Sequence, residues 1–281
     1  MVKEDKIDRC SICIGKELDR FFNGNTAFAR CNSCGFIQKE AAENDIKQNF
    51  EDITTHYSFD GTENIYDYLD TETYMGAEKK VLDIGCWDGS LINHIKGDWI
   101  KYGVEPNPFA AKKAIRNGVR IYQDQLHNIN FKNEQSDLIL LNDVIEHLVD
   151  PLNDLSRLPE LLRPEGKVAI ITGNTESIGC RLFKRFWYYY HYKSHISFFN
   201  TSNIELLISK IGIRTEKITR VAHHSANIKF LVNRIAKYKY RKIDEGVSGL
   251  SQEHNSLPRA LVLLSRVLVH RDHMIVTGKK A

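Results

Sequence analysis

The stretch Val81-Leu82-Asp83-Ile84-Gly85-Cys86-Trp87-Asp88-Gly89-Ser90 decides the fold. A short apolar strand runs straight into a glycine-bearing turn, and a helix is expected near 89–96. Such a turn between a first strand and a first helix lets the backbone come close to a nucleotide-like ligand. The ligand's charge follows from what the stretch lacks. A dinucleotide fingerprint requires G-x-G-x-x-G and a helix N-terminus open to a pyrophosphate. Here the spacing is Gly85-x3-Gly89, and Asp88 puts negative charge where phosphates would sit. A phosphate-free, cationic ligand suits the carboxylates of Asp83 and Asp88 better.

Outward from this turn the chain alternates strand and helix. Strands are predicted at 80–84, 100–104, 119–122, 138–141, 167–172, 214–219 and 273–277. Helices are predicted near 107–117, 151–162 and 201–211. This alternation predicts an α/β domain, a doubly wound, Rossmann-like seven-stranded sheet with helices on both faces. The second strand ends in Tyr102-Gly103-Val104-Glu105-Pro106-Asn107, where an acidic side chain can accept both hydroxyls of a ribose. After the third strand, Asp124 and Gln125 lie where an adenine amino group would be read. The fourth strand leads into Asn142-Asp143-Val144-Ile145-Glu146-His147-Leu148-Val149-Asp150-Pro151.

The ordered set V-L-D-I-G-C-W-D-G-S, Y-G-V-E-P-N, S-D-L-I-L-L-N-D-V-I-E-H-L-V-D-P and L-L-R-P-E-G-K-V-A-I-I-T resembles the class I S-adenosylmethionine (SAM) dependent methyltransferases. It is most similar to the group of ubiquinone-type O-methyltransferases and sugar methylases, over about residues 79–220. The resemblance implies that Asp83, Gly85 and Gly89 hold the methionine end of SAM. It places Glu105, with Pro106 beside it, on the ribose, Asp124 and Gln125 near the adenine, and Asn142 on the sulfonium side. Trp87 stands where many relatives carry glycine, so its side chain points away from the cofactor or shapes the pocket. Pro164-Glu165-Gly166 replaces the usual P-G-G turn.

Methyl transfer needs a nucleophile in line with the methyl group and, for many acceptors, a base. Two segments offer one. In Asp143-x2-Glu146-His147 the imidazole is a candidate base, and Glu146 with His147 is alternatively a divalent-metal pair, as the resemblance suggests. In His195-Ile196-Ser197-Phe198-Phe199-Asn200, similar to an H-x-x-F-F segment of the group, His195 is the second candidate. The aromatic run Phe186–Tyr192 before it reads equally as a substrate cap or as core packing.

At the N-terminus, Cys10-x2-Cys13-x17-Cys31-x2-Cys34 has the spacing of a structural zinc site, with a hairpin turning at Asn23-Gly24-Asn25. Residues 1–40 are therefore read as a zinc ribbon, 41–78 as a helical lid or linker, and 79–281 as the methyltransferase domain. A basic helical insert interrupts that domain at about 222–270. Cys86 and Cys180 are read as packing residues. The opening Met1–Lys6 is charged and lacks the apolar core of a secretory signal, so a cytoplasmic location is expected. The net charge of +3 is uneven: residues 1–213 hold 25 Lys+Arg against 31 Asp+Glu, and residues 214–281 hold 14 against 5. The basic insert suggests peripheral contact with an anionic membrane presenting a lipid-linked substrate. The expected reaction is O-methylation of a small-molecule or glycan-linked acceptor. Two alternatives stand beside it. One is an RNA methyltransferase gripping its substrate through the ribbon, disfavoured because the [D/N/S]-P-P-[Y/F/W] motif is missing. The other is a non-catalytic SAM-fold adaptor. Acceptor identity and oligomeric state are not readable from these residues.

Overall fold

The computed structural model describes residues 7–40, 79–131, 135–221 and 272–281. The expected lid at 41–78 and the basic insert at about 222–270 lie outside the described residues.

Seven strands form the main sheet. β4 (Lys79–Ile84), β5 (Trp99–Val104), β6 (Arg120–Tyr122), β7 (Ser136–Asn142) and β8 (Leu162–Gly173) are parallel neighbours. β11 (His273–Lys280) runs antiparallel between β8 and β10 (Ile213–Val221). The order is β10-β11-β8-β7-β4-β5-β6. The chain winds outward from β4 through β5 to β6, then returns to β7 on the other side of β4. That reversal opens a crevice at the carboxyl ends of β4, β5 and β7, where α/β sheets bind ligands. β7 is buried at every residue but its last, which explains its nearly continuous apolar run.

Two expected helices differ. The stretch 89–96 holds only a 3-10 turn, Ile92–His94, because the backbone turns extended at Ile95, with φ −62° and ψ 128°. The stretch 151–162 splits into α2 (Pro151–Asp154) and α3 (Leu158–Leu161). Pro159, lacking an N–H, cannot continue a helix begun at Pro151. The remaining helices are α1 (Pro108–Arg116), α4 (Ile178–Phe183) and α5 (Thr201–Lys210). Asn107 caps α1, and an Asn200/Asn203 capping box starts α5.

The cysteine-bearing segment folds as β1 (Leu18–Asn23), β2 (Thr26–Cys31) and β3 (Ile37–Glu40). It does not stand apart from the rest. β3 pairs with β9 (Ser197–Phe198), the middle of the His-Ile-Ser-Phe-Phe segment, to complete a four-stranded sheet. Phe28 and Ile37 pack with Trp187, Tyr189, Tyr190 and Phe198. Cys10, Ile12 and Phe36 join a core shared with Phe199, Ile204 and Leu207. The aromatic run after β8 is thus largely packing that seats the ribbon, each fully buried ring contributing about 2–3 kcal/mol. Phe28 and Phe36 are spent in that interface, and Phe22 remains exposed at 57%.

Candidate active site

Gly85 leaves β4 at φ +74°, and its N–H donates to Val104 O at 2.8 Å. A Cβ there would lie 2.6 Å from Val144 Cγ2, so only glycine lets β4 turn under the loop after β7. Trp87 also has positive φ, +49°, which explains why glycine is the common residue at this place in the group it resembles. Its N–H donates to Glu105 Oε2 at 3.0 Å, and Asn107 N–H donates to Glu105 Oε1 at 2.8 Å. Glu105 therefore ties the turn after β4 to the turn after β5, and each oxygen keeps a lone pair able to accept a further hydrogen bond.

Asp83 is buried, 2% exposed. Burial, reinforced by the Glu105 carboxylate, pushes its carboxyl up to about 8. Glu105 is raised in the same way by burial, against the two N–H groups that hold it. Two desolvated acids side by side form a site that a cation relieves. Pro106, Asp124 and Gln125 are exposed at the rim. Asp124 Oδ1 accepts from Asn128 Nδ2 at 2.8 Å and from Gln125 N–H at 2.7 Å, which presents its second oxygen outward. Gly89 is also a packing position: a Cβ would lie 2.8 Å from Val119 Cγ2. Asn142 is partly exposed at the end of β7, with its amide 3.4 Å from Asp143 Oδ2.

The second half of the site is assembled from distant segments. Glu146 is fully buried. Its Oε1 accepts from Tyr189 O–H at 2.6 Å and its Oε2 from Thr172 O–H at 2.9 Å. Burial and the nearby Asp143 raise its carboxyl above the usual range. His147 Nδ1 lies 2.8 Å from Ser194 O, and Ile196 N–H donates to Glu146 O at 2.7 Å. These bonds draw the loop after β7 against the segment carrying His195, and the rings of His147 and His195 meet at 5.0 Å. His195 lies against Tyr189 and Tyr192. Burial, then the neighbouring His147, pushes its imidazole well below the ordinary range, so it is neutral near pH 7. Its Nδ1 is buried with no hydrogen-bond partner among the described residues.

The sequence reading did not single out Tyr189, Thr172, Asp272 or His273. Tyr189 was one aromatic among several in its run, and its bond to Glu146 joins residues 43 apart. Asp272 and His273 open the last strand, beyond every motif, and no local signal marks them. Glu146, His147 and His195 lie within 4.8 Å of one another at their donor atoms. Tyr189 and Thr172 each donate one hydrogen bond to Glu146, which braces the carboxylate within this grouping and leaves one lone pair on each oxygen.

The four N-terminal thiols do form a ligand set. Cys10 and Cys34 sulfurs are 3.6 Å apart, Cys13 and Cys31 sulfurs 3.4 Å. Tetrahedral zinc with bonds of about 2.3 Å would set such sulfurs about 3.8 Å apart. The hydrogen bond shared by the Cys10 and Cys34 thiols lowers Cys10 and, with burial, raises Cys34, a proton-sharing arrangement that a cation would replace. The two knuckles match in backbone as well: Gly35 and Ile14, each following its second cysteine, have φ of +73° and +63°. Cys86 and Cys180 are buried packing residues, Cys86 against Gly103 of β5.

Comparison with known proteins agrees with this geometry. A family described as "Methyltransferase domain" matches residues 60–218, more than half of the chain. The ubiquinone biosynthesis O-methyltransferase of Haemophilus ducreyi is 30% identical over 121 residues, 39% of this chain and 51% of that protein. Its counterpart in Aeromonas salmonicida is 32% identical over 106 residues, 34% and 44% of the two chains. The chain thus matches about half the length of these curated relatives. A Bacillus halodurans protein described as a methyltransferase shares the fold, with a TM-score of 0.53, 16% identity, and coverage of 78% of this chain and 99% of that one. With the sheet order, the acidic crevice at the carboxyl end of β4 and the family match all in agreement, this chain belongs to the class I SAM-dependent methyltransferases.

Proposed function

We propose that the protein transfers the methyl group of SAM to a hydroxyl oxygen of a small-molecule or glycan- or lipid-linked acceptor. The observation that carries this reading is His195 Nδ1, a buried polar atom without a partner among the described residues, in a wall of imidazoles and carboxylates at the ends of β7 and β8. A buried polar atom left unpaired calls for a ligand group, and an acceptor hydroxyl satisfies it. A neutral hydroxyl, unlike a free amine, also has to lose its proton as it attacks, and imidazole is suited to take it. The names of the curated relatives support the same chemistry.

SAM supplies an electrophilic methyl group on a sulfonium. Asp83 holds its ammonium and Glu105 its ribose, with Asp124 and Gln125 at the adenine rim and Asn142 toward the sulfonium. His195 orients the acceptor hydroxyl, and an imidazole of the cluster takes the proton. The sequence offers His147 and His195 for that role. Glu146 holds Tyr189 and Thr172 in the wall behind them. Zinc in the Cys10–Cys13–Cys31–Cys34 set fixes the ribbon, and through β3 it fixes the segment that carries His195. Peripheral membrane contact through the 222–270 insert would bring a lipid-linked acceptor to this face; no helix of the described residues is long and apolar enough to cross a membrane.

The test is incubation of purified protein with methyl-tritiated SAM and a lysate of the source cells, followed by fractionation. Label in organic-extractable or glycan material is the expected result. Nuclease-sensitive label would sink the reading in favour of RNA, and absence of both transfer and SAM binding would sink it in favour of an adaptor.

A further inference from the structure

Two stretches of chain, 143–150 after β7 and 192–199 before α5, carry Glu146, His147 and His195. Each holds little regular structure, a 3-10 turn at Ile145–His147 in the first and the two-residue β9 in the second. They are bonded to one another. Ile196 N–H donates to Glu146 O at 2.7 Å, and Ser197 O–H donates to Leu148 O at 2.7 Å. Backbone of this kind has no ladder of its own to hold it, so its position depends on what it is tied to.

Both stretches are tied to β3. Gln38 is 7% exposed, and its Nε2 donates to Val149 O at 2.6 Å. Lys39 N–H donates to Ile196 O at 2.8 Å, and Lys39 Nζ donates to Lys193 O at 2.9 Å. β3 pairs with β9 at Ile37 opposite Phe198 and Gln38 opposite Ser197. Gln38 therefore sits beside one stretch along the backbone and reaches the other with its side chain.

The cysteine knuckles place β3 in turn. Asn200 Nδ2 and Asn203 Nδ2, from the capping box of α5, both donate to Cys34 O at 3.4 Å. From the first knuckle, Ser11 Oγ lies 3.5 Å from Gln38 Oε1. The ribbon's strands hold four to six residues each, and a segment of this size builds too little core to keep its shape without a staple. Metal binding by the four thiolates supplies the free energy that fixes β3.

We propose that Gln38 is a positioning residue, the latch through which the zinc-loaded ribbon fixes the stretch of Glu146 and His147 against the stretch of His195. This rests on the reading that these side chains line the acceptor site. Zinc and the Gln38 amide then act on one coupling. Removing either opens the two stretches together, while the SAM end, built on β4 and β5, stays in place.

The test is hydrogen exchange by mass spectrometry over 144–150 and 192–198, on the full chain, zinc-loaded and after chelation. Wild type is compared with Gln38→Met, which keeps the side-chain length without its polar atoms, and Gln38→Glu, which lacks the donor alone. In the zinc-loaded protein both variants are expected to raise exchange in both stretches about tenfold, the worth of one buried hydrogen bond. Chelation of wild type is expected to raise it by at least as much. After chelation the variants are expected to match wild type, because two perturbations of one coupling do not add. The zinc-loaded variants are expected to keep their zinc and a SAM Kd within about threefold of wild type. Their methyl transfer from tritiated SAM to a deproteinised extract of the source cells is expected to fall about tenfold.

Exchange unchanged by chelation, or unchanged in both zinc-loaded variants, would overturn the latch. So would a variant effect that multiplies with chelation, which marks stabilisation acting apart from zinc. Raised exchange with undiminished transfer would overturn the positioning role, and loss of zinc or SAM in both variants would make Gln38 a general structural residue instead. Nuclease-sensitive wild-type label would overturn the proposed acceptor, while the exchange data, which need no acceptor, still decide the latch.

Discussion

The two halves of the site are built by opposite strategies. The cofactor half comes from consecutive turns: Asp83 and Gly85 end β4, Glu105 ends β5, and their mutual bonds through Trp87 and Asn107 span fewer than 25 residues. The acceptor half is gathered from across the chain. Glu146 meets Tyr189 and Thr172, Gln38 Nε2 donates to Val149 O at 2.6 Å, Lys39 N–H donates to Ile196 O at 2.8 Å, and His273 arrives with β11. The cofactor half is thus set by local backbone geometry, whereas the acceptor half depends on whatever holds the ribbon, β9 and β11 together. The difference teaches that cofactor binding and acceptor chemistry are separable by perturbation.

The strongest way to break that comparison is to remove the ribbon's thiolate set. Cys31→Ser, or chelation of wild type, is expected to abolish methyl transfer and to raise hydrogen exchange across 190–200. The SAM Kd is expected to stay within about threefold, because distant sites behave independently. Calorimetry and exchange mass spectrometry measure both; equal loss of SAM binding would show that the halves are one unit.

On the cofactor side, Asp83→Asn is expected to weaken SAM by about 10–100-fold, the worth of a buried charge-assisted contact. Its pH dependence sharpens the point. The free carboxyl is pushed up to about 8, so below that pH binding a cation must release its proton. The wild-type Kd should therefore tighten as pH rises from 6 to 8 and then level off, while the Asp83→Asn profile stays flat over that step. In the ligand-free protein the sign reverses. The native state holds this proton more tightly than the unfolded chain, so the contribution to stability is complete at low pH and is lost as pH rises through about 8.

Smaller effects follow. Glu146→Gln must turn its amide toward either Tyr189 or Thr172, leaving one donor facing another. About 1–3 kcal/mol of stability is expected to go, read by chemical denaturation, with methyl transfer reduced and the SAM Kd unchanged. Ile14→Gly should act in the other direction. It relieves a β-branched residue at φ +63° and is expected to gain up to about 1 kcal/mol, seen as a higher Tm of the zinc-loaded protein.

The same division marks what was readable in advance. The alternation of strands and helices, the turn at Gly85, the acid at Glu105 and the thiol spacing were legible because each is a local pattern of periodicity, backbone angle, charge or ligand count. The Phe186–Tyr192 run was ambiguous because a buried aromatic and a pocket-lining aromatic look alike until the partner is known, here Phe28 and Ile37 of the ribbon. The expected helix at 89–96 failed where the backbone turns extended at Ile95, and the one at 151–162 failed at a proline.

By itself, then, the amino-acid sequence disfavoured a pyrophosphate ligand, through two carboxylates and a G-x3-G turn that suit a cation, and its ordered motifs supplied the cofactor class through their resemblance to the SAM-dependent methyltransferases. It also determined the sheet, through the alternation of strand and helix. Only the tertiary structure decided that the ribbon shares a sheet with the His195 segment, and that His273 faces Asp143. Those contacts join residues far apart in the chain. Their energies come from packing and hydrogen bonds formed after the strands associate, and they leave no periodicity or spacing for a single sequence to show.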